Sequence, residues 1–338
     1  MKIKIKGTTA TELCQIDKSE KATAVKNPKI VIKNQKVLAK NSFGNKVLAT
    51  TPIYTGNSLR GKLRRKALEF LLDSIIIKGL KLPSDANFNL MNAGGGNDFQ
   101  AQKFEVVDNI RQLNPIISVF GASLAVPGKL VTPNLIPFKT VESDLLEYYF
   151  GETEDGKLYS TITTTETFIK CDDLLTKSGN ARFLDDESIA AWRDKVEGNN
   201  KDRASSRAAA DSDEKVKKES IKSMNDRDFI VRGVDLYSSI ESSSNMTPIE
   251  RGMIYKAIEE VSLESLGSNS SRGFGKINYE ICFDENSILE TKVDHYLKAH
   301  IIKKSYSAEV MEDIKAFESW LENIEENNYA IAELMKSK

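Results

Sequence analysis

The chain has 338 residues, 48 Lys and Arg against 49 Asp and Glu, a formal net charge of -1 and 40% apolar residues. This is a globular composition with enough apolar residues for a real core, and its balance argues against a uniformly basic nucleic-acid-binding domain, so any such role must rest on how charge is distributed. Three scattered cysteines, Cys14, Cys171 and Cys282, form no CxxC pair, which leaves neither a disulfide framework nor a zinc site and fits a reducing, cytoplasmic setting.

Lys2 to Lys6 reads KIKIK, a period-two strand pattern where a signal peptide would need an unbroken apolar run. KIVIK at Lys29 to Lys33 repeats it after a polar loop from Lys18 to Asn27. Pro52 and Gly56 mark a turn, and Ser58 opens an amphipathic helix to about Ile77, with Leu59, Leu63, Leu68, Leu71 and Leu72 on its apolar face and Asn57 or Ser58 as N-cap. Its greasiest stretch, Ile75 to Ile77, is cut by Lys78 and is no membrane span. Pro83 to Gln100 reads as a loop containing Gly94, Gly95 and Gly96, and Val106 to Gly121 as a helix interrupted at Pro115. Pro127 to Pro137 is a turn-rich connection with short strands, and Lys157 to Lys170 and Asp228 to Ile240 are strand-like. Between them, Asp185 to Met224 is polar and charge-mixed, the pattern of a partly helical insertion carried by a hairpin. Thr247, Pro248 and Glu250 spell a capping box opening a helix to Leu266. A Gly- and Ser-rich loop, Gly267 to Lys276, then precedes a strand at Ile277 to Phe283, and Ser307 to Met335 is an acidic amphipathic helix. The order predicts an α+β, ferredoxin-like domain with insertions and no solenoid repeat.

Three segments could carry chemistry. In the first, Thr55 to Arg65, Gly56 lets backbone approach a ligand, Asn57 and Ser58 stand at a helix start whose free N–H groups suit an anion, and Arg60, Lys62, Arg64 and Arg65 add charge. Taken alone, a solvated basic face explains it better. In the second, Leu266 to Lys276, Ser270, Ser271, Gly273 and Gly275 would let backbone reach phosphates, Arg272 and Lys276 would supply charge, and Phe274 would stack on a base or ribose. It follows a helix and precedes a strand, opposite to a P-loop, and a helix C-cap with Phe274 in the core explains it equally well. The third, Asn114 to Ser123 with Ser118 and the downstream Lys129, reads as core packing by itself.

Together, GNSLRGKLRR, NPIISVFGAS and SNSSRGFGK resemble the RAMP superfamily, and within it the "Cas seven" group that forms the backbone of CRISPR effectors, closest in feel to type IV systems. The resemblance implies a modified RRM-like palm at residues 1–74 and 228–290 with 101–172, a finger-like insertion at 75–100, a thumb-like insertion at 173–227 and a helical tail at 291–338. It implies a subunit that oligomerises along guide RNA (crRNA) for pairing with target DNA or RNA, beside other CRISPR effector subunits, with no metal or cofactor and no membrane. Met224 becomes a candidate wedge in the thumb, and Arg203, Arg207 and Arg227 candidate phosphate contacts. Relatives that cleave carry an aspartate shortly before an Asn/Ser-Pro; here Val25 and Lys26 precede Asn27-Pro28, so the resemblance implies a backbone that does not cut. His295 and His300 lie outside the motifs and offer no general-base pair. Replacing Arg60 and Arg64 by Ala is expected to weaken guide binding without unfolding the chain. Two alternatives stay open: an endoribonuclease that processes precursor guide RNA, with Tyr54 and Lys276 as its candidates, and a protein scaffold using the acidic C-terminal helix.

Overall fold

A computed structural model describes residues 1–17, 31–95, 102–122, 125–139, 147–172, 185–191, 194, 221–243, 245–294 and 299–336. The chain divides into two compact units, the first of residues 1–17, 32–164 and 229–338 and the second of residues 18–31 and 165–228.

In chain order the first unit begins with strand β1 (Lys2–Thr9), hairpin strands β2 (Asn34–Lys40) and β3 (Lys46–Pro52), and helix α1 (Gly56–Ile77). Helices α2 (Asp85–Ala93), α3 (Phe104–Leu113) and α4 (Pro115–Phe120) follow. Next come the short strands β4 (Leu130–Val131) and β5 (Ile136–Pro137) and the pair β6 (Phe150–Glu152) and β7 (Leu158–Ser160). Strands β8 (Thr163–Asp172) and β9 (Ile221–Ile230) make a two-stranded sheet that forms most of the described second unit, where Thr165 donates to Asp228 at 2.6 Å and Thr167 to Asp226 at 2.7 Å. Back in the first unit are β10 (Asp235–Ser242), α5 (Pro248–Ser262), β11 (Ile277–Asp284), β12 (Ser287–Asp294), β13 (Ala299–Ser305), α6 (Ala308–Glu322) and α7 (Ile331–Lys336).

The main sheet runs β13-β12-β11-β1-β10-β4, with β5 also on β10, and every pairing is antiparallel. The KIKIK alternation does what its period requires: Ile3 and Ile5 are buried on the helix side while Lys2 and Lys4 stand in solvent. Ile5, Ile240 and Ile281 of the sheet meet Leu59 and Leu63 of α1 and Ile258 and Val261 of α5. Each such side chain taken from water contributes about 1.5–3 kcal/mol. The capping box of α5 forms as its sequence dictates, with Thr247 accepting from Glu250 N and Glu250 from Thr247 N. Pro115 starts α4 at its first turn, where a missing N–H costs nothing.

Several expectations change. The second strand lies at 34–40 rather than 29–33; of the KIVIK segment only 31–33 is described, and it makes a single bridge, Ile16 to Ile32. The segment read as a loop from Pro83 to Gln100 contains α2, whose Leu90 and Met91 are buried; its apolar spacing is too short to announce a helix that tertiary packing completes. The sheet continues past Phe283 through β12 and β13, so residues 291–294 and 299–305 of the expected helical tail are strand, and the acidic C-terminal segment is two helices broken near Asn323.

The α5–α6 contact is close enough to need glycine: a Cβ at Gly252 would lie 2.0 Å from the Asp313 carbonyl oxygen. Gly252→Ala is therefore expected to destabilise the fold by roughly 1–3 kcal/mol, read as a lowered urea midpoint with an unchanged slope.

Candidate nucleic-acid interface

Helix α1 is capped by Thr55, not by Asn57 or Ser58. The Thr55 hydroxyl accepts from Ser58 N, and the Gln15 amide seals the turn, its Nε2 donating to Thr55 Oγ1 at 2.6 Å and Ser58 Oγ at 2.8 Å while its Oε1 accepts from Thr55 N at 2.6 Å. Gly56 N donates to Asn134 Oδ1 at 2.9 Å, and a Cβ at Gly56 would lie 1.8 Å from the Thr132 carbonyl oxygen. This glycine is required by a crossing chain rather than by a ligand. The amides at Gly56, Ser58 and Leu59, offered to an anion by the sequence alone, are thus satisfied inside the protein.

The late loop is similarly built. Gly267 and Gly275 have φ of +78° and +79°, and a Cβ at either would strike the carbonyl oxygen of Cys14 or Leu266. Ser268 N donates to Cys14 O and Gly275 N to Glu12 O, both at 2.8 Å, and Lys276 N donates to Thr11 Oγ1 at 2.9 Å. Between these anchors Ser270, Ser271 and Arg272 form one exposed 3-10 turn ending at Gly273, which has φ +88° and open space beside it. Phe274 is half-buried and stacked on the buried Phe229, with ring centroids 4.9 Å apart. The packing alternative holds for that contact.

One stretch, Glu12 to Gln15, therefore holds both segments. Gln15 binds the start of α1, while Glu12 and Cys14 bind the late loop. Tyr54, next to the Thr55 cap, is buried at this junction, and burial pushes its pKa up to about 12. The exposed Asn57 and Arg65 of α1 and the exposed Ser270–Gly273 turn belong to these two joined segments.

The remaining cations are placed differently from the sequence expectation. Arg64 is 8% exposed, and its guanidinium donates to Met91 O and Leu90 O near the end of α2 and to Phe120 O and Gly121 O at the end of α4. It caps two helix C-termini at once; burial, then repulsion from Arg60, lowers its pKa to about 10. Arg60 donates to Phe120 O at 2.7 Å and is also depressed by burial. Lys62 pairs with Glu264 at 2.8 Å, beside the Lys66–Glu264 pair at 2.7 Å. Ser118 is fully buried and donates to Glu250, whose carboxylate also takes Lys129 at 2.7 Å. Ser118 and the part-buried Lys129 thus serve the capping box of α5. Spacing on a helix does not reveal which side the tertiary fold covers, so Arg64 looks like its solvent-facing neighbours in sequence; for Ser118 and Lys129 the core-packing reading of the segment agrees with their place, and the RNA contact that the resemblance implies for them does not.

Met224 falls on β9, with its side chain outside the described residues, as are Arg203, Arg207 and His295. Arg227 lies in the second unit with its guanidinium 5.3 Å from the Phe168 ring centroid. Of the endonuclease candidates, Tyr54 is buried, which pushes its pKa up to about 12, while Lys276 lies near His300, whose pKa burial and then Lys276 depress. Gln15 and Asn134, which organise the junction, escaped the sequence reading because neither lies in a patterned segment. Among the described residues no group of three or more His, Cys, Asp or Glu side chains converges as for a metal, and no helix is long and apolar enough to cross a membrane.

No protein-family model matches the chain, nor does any curated protein. Among solved structures it is similar to a chain described as "Type IV-B CRISPR Complex", with 13% identity over 84% of this chain and 92% of that one and a TM-score of 0.45. At that identity and score the likeness carries no argument about what this chain does.

Two outcomes follow. Arg64→Ala removes four hydrogen bonds from a buried site, leaving the Met91 and Gly121 carbonyls without the donor that Phe120 O keeps in Arg60 and Leu90 O in Gly94 N, and should cost roughly 2–4 kcal/mol, measured by urea unfolding; Arg60→Ala with Arg64→Ala is accordingly expected to unfold readily rather than to report on binding alone. Tyr54 and Tyr255, both raised to about 12 by burial, stay protonated in the fold where the unfolded chain ionises near pH 10. Their contribution is complete below about pH 10 and is lost as pH rises through 12. An alkaline melting series should show the fall, and Tyr54→Phe should make it shallower.

Proposed function

We propose that this chain is an RNA-binding backbone subunit of a CRISPR ribonucleoprotein effector complex, one that assembles along guide RNA and holds it for pairing with target DNA or RNA. The observation that carries this reading is the junction at Glu12 to Gln15, which brings the start of α1 and the late loop, two of the three segments bearing the RAMP resemblance, onto one another. A sugar–phosphate chain laid across that junction would meet Asn57, Arg65, Arg272 and the open backbone at Gly273. Arg60, Lys62, Arg64, Ser118 and Lys129 act in this reading as the frame behind the surface.

The palm assignment is supported by strand order. Taking β1, α1, β4 with β5, β10, α5 and β11 as a βαββαβ unit, its strands lie in space as fourth, first, third, second, all antiparallel, with both helices packed on one face. The long β8–β9 pair carries the thumb-like insertion of residues 173–227 between its strands, with Met224 and Arg227 on β9. The type IV affinity rests on the sequence motifs alone. Sequence selection would come from base pairing between guide and target, with neither a cofactor nor cleavage by this chain, in the cytoplasm.

Arg65→Glu with Arg272→Glu should weaken binding of repeat-derived RNA by roughly tenfold or more at physiological salt and reduce the slope of log affinity against log salt by about two, with the fold intact by circular dichroism. Unchanged affinity and slope in the folded variant would sink the proposal, and cleavage of repeat RNA by the purified chain would replace it with the processing-enzyme alternative.

A further inference from the structure

The β2–β3 hairpin presents a face that the rest of the described chain does not use. Its register sets Val37 opposite Ala49, both buried, on the inner side. The outer side carries Leu38 opposite Leu48, 66% and 62% exposed, with Lys40 opposite Lys46 on one flank and Lys36 opposite Thr50 on the other. Residues 34–52 contain no acid, and Lys36, Lys40 and Lys46 take part in no ion pair. Like charges directly opposite one another on a sheet face are destabilising, and two exposed leucines between them add apolar area with nothing over it. The arm is nonetheless held in place, since Ser42 N and Oγ both donate to the Glu152 carboxylate at 2.8 Å and Asn41 donates to Gly156 O.

A matching surface exists on the same chain. Residues 308–326 hold seven acids and one lysine. Asp313 is paired with Arg251 and Glu318 with Lys256, leaving Glu309, Glu312, Glu322, Glu325 and Glu326 exposed and without an ion pair. The unpaired lysines around the two leucines complement in sign the unpaired glutamates of this segment.

We propose that the β2–β3 hairpin of one copy docks on the acidic α6 surface of a second copy. The contact joins two different surfaces, so it is head-to-tail and open to further addition. The centre of the hairpin face is aliphatic, Leu38 with Leu48, and the one exposed aromatic, Phe43, sits in the turn beyond it; with the charge complementarity this favours protein over nucleic acid as the occupant. The inference names the assembly surfaces for the backbone reading above; its sedimentation test is run without RNA, and RNA binding by the same variants is read separately, so either can fail alone.

The experiment is sedimentation of the full, nuclease-treated chain over a salt series. The wild type should associate at low salt and dissociate as salt rises. Lys36→Glu with Lys40→Glu and Lys46→Glu should be roughly tenfold or more weaker in self-association, as should Glu309→Lys with Glu312→Lys and Glu322→Lys, each folded by circular dichroism. An equimolar mixture of the two variants should associate again, because each now supplies the charge the other lacks. The uncharged variant Leu38→Ser with Leu48→Ser should weaken association without changing its salt slope. A wild type that stays monomeric at every salt, variants that associate undiminished, or a mixture that stays monomeric would each overturn the proposal. So would a lysine variant that loses only RNA binding, an outcome that leaves the RNA reading standing.

Discussion

Four residues, Glu12 to Gln15, hold the functional side of this protein together. They leave the central strand of the sheet and spend their polar groups on two segments more than two hundred residues apart: the Gln15 side chain on the first turn of α1, and the carbonyls of Glu12 and Cys14 on the glycine loop before β11. Buried main-chain groups must find partners, so neither loop can shift without breaking bonds the other relies on. The exposed arginines and the open turn at Gly273 are presented by this frame, and its rigidity is what would let a polyanion meet donors already in position.

The same economy explains the cations. Of the basic groups at the start of α1, most act on the protein itself. Arg64 ends two helices, Arg60 joins it at Phe120, and Lys62 and Lys66 share Glu264. Four N–H groups on four carbonyls keep a buried guanidinium charged with its donors satisfied. Arg65, one position along, projects outward. One helix thus carries both a structural and a solvent-facing set of positive charges, separated by its 3.6-residue period.

Much of the fold was legible in the sequence because local rules decided it. Alternation in KIKIK, the apolar spacing of α1, the Thr247–Glu250 capping box and the break at Pro115 each depend on neighbours a few residues away, and each formed where the pattern lay. Strands β12 and β13 and helix α2 were not read, since their burial is supplied by partners distant in the chain.

The candidate site divides in the same way. Sequence alone determined that glycines at 56, 267 and 275 mark special backbone and that arginines cluster near the start of α1. Only the tertiary structure decided that those glycines make room for crossing carbonyls of the protein itself, that Arg64 and Ser118 are buried with partners and Lys129 is paired with Glu250, and that Gln15 and Asn134 occupy the helix start. The reason is physical: a residue's type fixes which bonds it can make, while the long-range path of the chain fixes which partner reaches it first.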